Sequence, residues 1–326
     1  MATDIAAGAS RPWWLRISRA RWLTTALMVL LAIALVIPLL GQPYYTKLLA
    51  RMAIFAIAAM SLDLLVGYAG LVSFGHAAFF GIGVYAAGLL PMLGIQQAAV
   101  IFPAAALAAG IVGALTGAIS LRASGLYFIF ITLAFAQMVF YIATGLRMFG
   151  GDDGFRLPAP TLLVPGVPLD NPVPLAYVMI GLLLLLTWVA RRLMGSRFGR
   201  IVVAARDNDV KLRAVGLSPF PSRLALYTIA SAMCGVAGAG FANLTEYVSP
   251  ASISWVVSGE FLFMVILGSA ATLIGPILGA IVFVGLEQIL SAWTEYWMFW
   301  LGVLLVLRVL FLRQGLYGLL SGSRRP

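Results

Sequence analysis

RRLMGSRFGRIVVAARDNDVKLRAVGLSPFPSR, residues 191–223, is the only long polar interruption in the second half of this chain. It carries Arg191, Arg192, Arg197, Arg200, Arg206, Lys211, Arg213 and Arg223, and on both sides lie runs of Leu, Ala, Val, Gly and Phe long enough to cross a bilayer. A cationic segment between two such runs reads as a cytoplasm-facing loop, because Lys and Arg accumulate on the side from which a chain is inserted. Its middle, 204–216, reads as a short helix closed by Gly216, since glycine takes the left-handed C′ conformation cheaply. A helix held at the membrane face can meet a soluble partner.

Composition agrees with a membrane reading. Of 326 residues, 62% are hydrophobic and only 10% charged, too few polar groups to cover a soluble surface. Inside a bilayer every backbone N–H and C=O needs an internal partner, and no ten-residue alternating segments suggest a barrel, so the expected fold is an all-α bundle. The net charge of +10 would point to nucleic acid in a soluble protein; here it reflects orientation and leaves anionic lipid as the partner of those charges. The single cysteine, Cys234, lies in an apolar run and predicts no disulfide framework.

At about 20 residues per span, the apolar runs predict ten helices: 23–40, 48–66, 71–93, 98–119, 126–145, 175–193, 224–242, 259–273, 276–292 and 297–312. The eighth and ninth are short and joined by a tight turn at Gly275-Pro276. An even count puts both termini on one side, with a cytoplasmic basic tail at 1–22 and another at 313–326. Arg11, Arg16, Arg19 and Arg21 precede an apolar run too long for a cleaved leader, so the first span is retained. This topology leaves sixteen basic residues inside and four, Lys47, Arg51, Arg147 and Arg156, outside. Eight or nine spans with a re-entrant segment near Ser73 or Gly275 also fit. Trp13, Trp14, Trp22, Trp255, Trp293, Trp297 and Trp300 fall near span ends, where amphipathic rings settle.

The outer loop, 146–174, is rich in Pro and Gly. Asp152, Asp153 and Asp170 face Arg147 and Arg156 there, which suits either a solvated connector or a docking surface for an external protein centred on Asp152, Asp153 and Arg156. Residues 67–85, GYAGLVSFGHAAFFGIGVY, hold small and polar residues where lipid alone favours Leu and Ile. Glycine lets helices touch and lets a helix break, and irregular backbone at this depth is tolerated only inside protein or beside a water-filled cavity. At helical spacing Ser73, His76, Phe80 and Gly83 share a stripe that turns the only histidine inward. His76 is then either a packed structural residue or part of a pathway; with no second histidine and no nearby thiolate or carboxylate it is not a metal ligand. Asp63, Glu260 and Glu287 are ionisable groups at membrane depth and so candidates for function, whereas Glu246 and Glu295 belong to the outer water boundary. Thr132 and Gln137 line a polar path or bond a neighbouring helix. No nucleotide loop, zinc motif, nucleophile elbow or cysteine pair is present, so ATP hydrolysis is expected on a partner and no cofactor is implied.

At these residues the chain resembles the membrane permease subunits of ABC importers for branched-chain amino acids, the hydrophobic amino acid uptake family. The resemblance rests on residues 67–85, on Gly125-Leu126-Tyr127-Phe128 with Thr132 to Gln137, on 151–154, on Gly199-Arg200 through Gly216, and on Gly268 through Gly279. It implies pairing with a second, homologous permease, two cytosolic ATPase subunits and an external or periplasmic binding protein, in a bacterial cytoplasmic membrane. Arg206 to Gly216 would then be the coupling helix, with Arg200, Arg206, Asp207, Asn208, Asp209 and Gly216 acting toward the ATPase. Ser73, His76, Phe80, Thr132, Gln137 and Glu260 would line the path. The chain departs from the family's Gly-Gly-x-Gly-Thr pattern, reading Gly268-Ser269-Ala270-Ala271-Thr272. Relatives of this architecture are also associated with urea, amides and aromatic acids. A carrier driven by an ion gradient through Asp63, Glu260 or Glu287 is the alternative from another class.

Overall fold

The computed structural model describes residues 34–147, 150–164 and 166–311. The two basic tails and most of the first expected span lie outside the described residues. Helix α1, Pro43–Asp63, starts on a proline whose fixed φ suits the first helical position, and it continues without a break into a π-helical turn, Leu64–Ala69. Gly70, at φ 69°, ends it in the left-handed conformation. An irregular stretch leads to α2, His76–Met92, followed by α3, Ala98–Ser120, and α4, Leu126–Gly145. Strands β1, Phe155–Arg156, β2, Leu162–Val164, and β3, Val167–Pro168, occupy the outer loop. Then come α5, Pro172–Gly195, α6, Arg197–Asp207, α7, Asp209–Ala214, and α8, Pro219–Thr245. Strand β4, Tyr247–Val248, precedes α9, Trp255–Gly268, α10, Ile274–Trp293, and α11, Trp297–Phe311.

Among the described residues six helices are long and apolar enough to cross a membrane: α1 with its π turn, α3, α4, α5, α8 and α10. Three shorter apolar helices, α2, α9 and α11, complete the bundle. Three expectations need correction. The third span does not begin at Leu71: glycines 70 and 75 interrupt it, so Ser73 lies in the irregular stretch and not on a stripe with His76, Phe80 and Gly83. Gly275 and Pro276 do not form the turn between the eighth and ninth spans; they sit in the first turn of α10, and the chain reverses at 269–273. The single helix expected over 204–216 is two helices, broken at Asn208.

α1 is the most buried span and α4 the least. α1 packs against α5, α8, α9 and α10, while α8 packs against α2 and α3. Small residues set the second contact: a Cβ on Gly83 would fall on the backbone carbonyl of Gly235, so the α2 and α8 backbones touch. Phe55, Phe80, Phe241 and Phe261 join α1, α2, α8 and α9, with ring centroids between 5.3 and 6.2 Å apart. Cys234 is buried in the same contact, its Sγ 3.4 Å from the His76 carbonyl. On the outside, α3 and α4 expose Leu107, Ile111, Leu115, Phe130 and Met138, a surface suited to lipid or another apolar chain. Trp255 and Trp293 are exposed at helix ends, as amphipathic rings at a membrane boundary should be.

Candidate functional site

The expected site residues fall into three groups, two of them at opposite ends of the bundle. At one end α6 lies under the π turn of α1. Arg206 Nη1 donates to the Gly67 carbonyl at 2.6 Å, and its aliphatic stem covers Gly70, where a Cβ would press on the Arg206 Cγ. Its other nitrogens bond Asp207 Oδ1 at 3.0 and 3.2 Å. Asn208, extended at φ −160°, caps α7 by accepting from Lys211 N at 2.9 Å, the reason the segment breaks there. Asp209 pairs with Arg213 at 3.1 Å and with Arg223 at 3.4 Å, while Arg223 also bonds the Ala205 carbonyl. Arg206 and Asp209 thus fasten α6 and α7 to the bundle. Arg200, Asp207, Lys211 and Gly216 are exposed, and so are Val210 and Val215, 77% and 72% open at the tip. Gly216, at φ 82°, is left-handed.

Gly67 connects this end to another turn. A Cβ there would strike the Ala271 nitrogen and Asp63 Oδ1, and Asp63 Oδ1 accepts from Ala271 N at 2.8 Å. Asp63 is buried and holds the α9–α10 turn, in which Ser269, Ala271 and Leu273 all have positive φ without being glycine. A continuous set of contacts therefore runs from Arg206 through Gly67 and Asp63 to the start of α10.

In the interior, Thr132 Oγ1 accepts from Phe74 N at 3.2 Å and donates to the Ile129 carbonyl, so α4 holds the irregular stretch. Buried Ser73 bonds Gly75 N at 3.2 Å. Ser258 on α9 accepts from Ala77 N at 2.9 Å, satisfying a free N–H at the α2 start, a role that no motif signalled. His76 is fully buried beside the Ser61 backbone, neither ring nitrogen makes a hydrogen bond of good geometry among the described residues, and its ring meets Phe79 edge-on at 5.7 Å. Phe80 sits instead in the aromatic cluster, and Gln137 is half-buried with no hydrogen bond among the described residues. Glu260, half-buried on α9, interacts electrostatically with Glu287 and Arg51. Those two form an ion pair of 2.7 Å between α1 and α10, and the guanidinium lies 5.4 Å from the Phe55 ring. Arg51, one of the four basic residues counted on the outer side, reaches sideways to Glu287.

At the other end, β1 pairs antiparallel with β4, Phe155 opposite Val248 and Arg156 opposite Tyr247. Arg156 bonds Glu246 at 3.0 Å, which gives that glutamate a partner 90 residues away. Asp152 and Asp153 are exposed; the Asp153 carbonyl accepts from Tyr247 Oη.

A family model described as "branched-chain amino acid transport system / permease component" matches residues 44–309. The chain belongs to this family. The permease is 30% identical over 316 residues to the high-affinity branched-chain amino acid transport system permease protein LivM of Salmonella typhimurium, covering 89% of this chain and 74% of that one. LivM of Escherichia coli matches at the same identity and coverage. No solved structure matches.

Proposed function

We propose that this permease is one of two homologous membrane subunits of an ATP-binding cassette importer for branched-chain amino acids. It works with two cytosolic ATPases and an external or periplasmic binding protein in a bacterial cytoplasmic membrane, its termini and the 194–223 loop on the ATPase side. The observation that carries the reading, beside the family match, is the fastening of α6 and α7 onto the π turn by Arg206. Displacement of the exposed tip at Val210, Lys211 and Val215 by an ATPase would be passed to Gly67, to the Asp63-held turn and so to α10. Coupling needs contacts that differ between two states, and a fastened, capped pair of short helices can supply them. Ser73, His76, Thr132, Gln137 and Glu260 line the path in this reading, with Phe80 in its wall. Asp152, Asp153 and Arg156 meet the binding protein.

The test is ATP-dependent uptake of labelled leucine by the complete importer in proteoliposomes. Arg206→Ala, Asp207→Ala and Asp209→Ala should preserve membrane insertion and ATP hydrolysis while lowering uptake. Wild-type uptake in all three would defeat the coupling assignment. Competition by urea, short amides or aromatic acids in place of leucine would reassign the cargo, and uptake by the lone chain without ATP would make it an ion-driven carrier.

A further inference from the structure

Two cavities open at the end of the bundle opposite α6 and α7, and one pair of carboxylates, Asp170 and Glu246, borders both. The larger, of 510 Å³, lies against the starts of α1 and α5. The smaller, of 190 Å³, is walled by Pro158, Pro160, Arg156 and Asn243 as well as the two acids. Asn243 is 2% exposed; its amide nitrogen bonds the Ala239 carbonyl at 2.8 Å, and its Oδ1 has no partner among the described residues. A buried acceptor beside a cavity needs a donor, which water or a ligand's N–H can supply. Asp170 is exposed to water and makes no side-chain hydrogen bond or ion pair among the described residues. Glu246 is held at φ 54°, a conformation unusual for glutamate, with its carboxylate on Arg156.

The wall therefore offers two carboxylates and an amide oxygen against one guanidinium, an excess of acceptors over donors. Arg156 uses one Nη on Glu246 and is 81% exposed, so further N–H groups of its fork are free for a second anion. We propose that the smaller cavity is an entry site for a free α-amino acid, a deepening that rests on the importer reading above. The ammonium group lies among Asp170, Glu246 and Asn243 Oδ1. The carboxylate meets Arg156, and the aliphatic side chain packs against Leu157, Pro158 and Pro160. Such a site would receive cargo as it leaves the binding protein and before it enters the bundle.

The experiment measures equilibrium binding of labelled leucine to the assembled permease–ATPase complex in nanodiscs without the binding protein, alongside uptake by the full importer. Wild type should bind leucine saturably, and 4-methylpentanoate, which lacks the ammonium group, should fail to compete. Asp170→Asn and Asn243→Ala should each weaken binding roughly tenfold, as loss of one charge-assisted or buried hydrogen bond implies. Asp170 is exposed and makes no contact that folding needs, so its variant keeps the test open should Asn243→Ala fail to assemble. Unchanged affinity in Asp170→Asn, or competition by 4-methylpentanoate equal to that of leucine, would overturn the proposal. So would an absence of leucine binding in a wild-type complex that still imports leucine, and the importer reading would then stand alone. An intact importer that moves no branched-chain amino acid would remove both.

Discussion

At single positions, two observations lead to measurable effects. Ser269 and Ala271, where the resemblance leads to an expectation of glycine, have φ of 106° and 61°. A left-handed alanine costs about 1–2 kcal/mol of steric strain. Part of that is offset because alanine restricts the unfolded chain by about 0.4–1 kcal/mol relative to glycine. Ala271→Gly should therefore stabilise the permease by roughly 0.5–1 kcal/mol, read as a raised midpoint in a detergent thermal-shift assay. Ser258→Ala should act in the opposite direction, because Ala77 N would lose its acceptor in a dry interior, at about 1–3 kcal/mol. The departure at 269 and 271 was visible in the sequence, but its consequence depended on the backbone those residues adopt. Glu246 was likewise readable only as a boundary charge, since its partner Arg156 lies 90 residues away, and the cavity beside Asn243 is walled by segments distant from it in the chain.

Among whole elements, α2 against α8 is the contact most sensitive to volume. Gly83→Val would drive a branched side chain into the Gly235 carbonyl, where neither backbone can yield without separating the helices. We expect a loss of at least about 2–3 kcal/mol, beyond ordinary overpacking because the obstacle is main chain, and a collapsed monodisperse peak in fluorescence-detected size exclusion. Gly285→Val, whose added carbon meets only Met52 Cε at 3.7 Å, should be tolerated and serves as the comparison. The identity of most helices was legible from long apolar runs. Their ends were not. The break at Asn208, the irregular stretch before His76 and the reversal at 269–273 follow from capping, π-turn and cross-helix hydrogen bonds that act over one or two residues and leave the apolar count nearly unchanged.

Over the molecule as a whole, the Arg51–Glu287 pair shows that the charges of this chain do more than set orientation. Removing one partner leaves the other without its counter-charge in an apolar bundle, a change of about 3–5 kcal/mol for a buried pair and less here because Arg51 is 32% exposed. Arg51→Leu should lower the yield of folded permease, and Arg51→Leu combined with Glu287→Leu should restore part of it; a double variant worse than the single would show that the pair does not act as a unit. The same overall view separates the α6–α7 end from the Arg156–Glu246 end by the full length of the spans. Cys234, the one thiol in the sequence, is sealed between α2 and α8. The natural chain thus already serves as a silent background for maleimide labelling: a cysteine introduced at Lys211 should react with a membrane-impermeant reagent only in inside-out vesicles, and one at Asp153 only in intact cells.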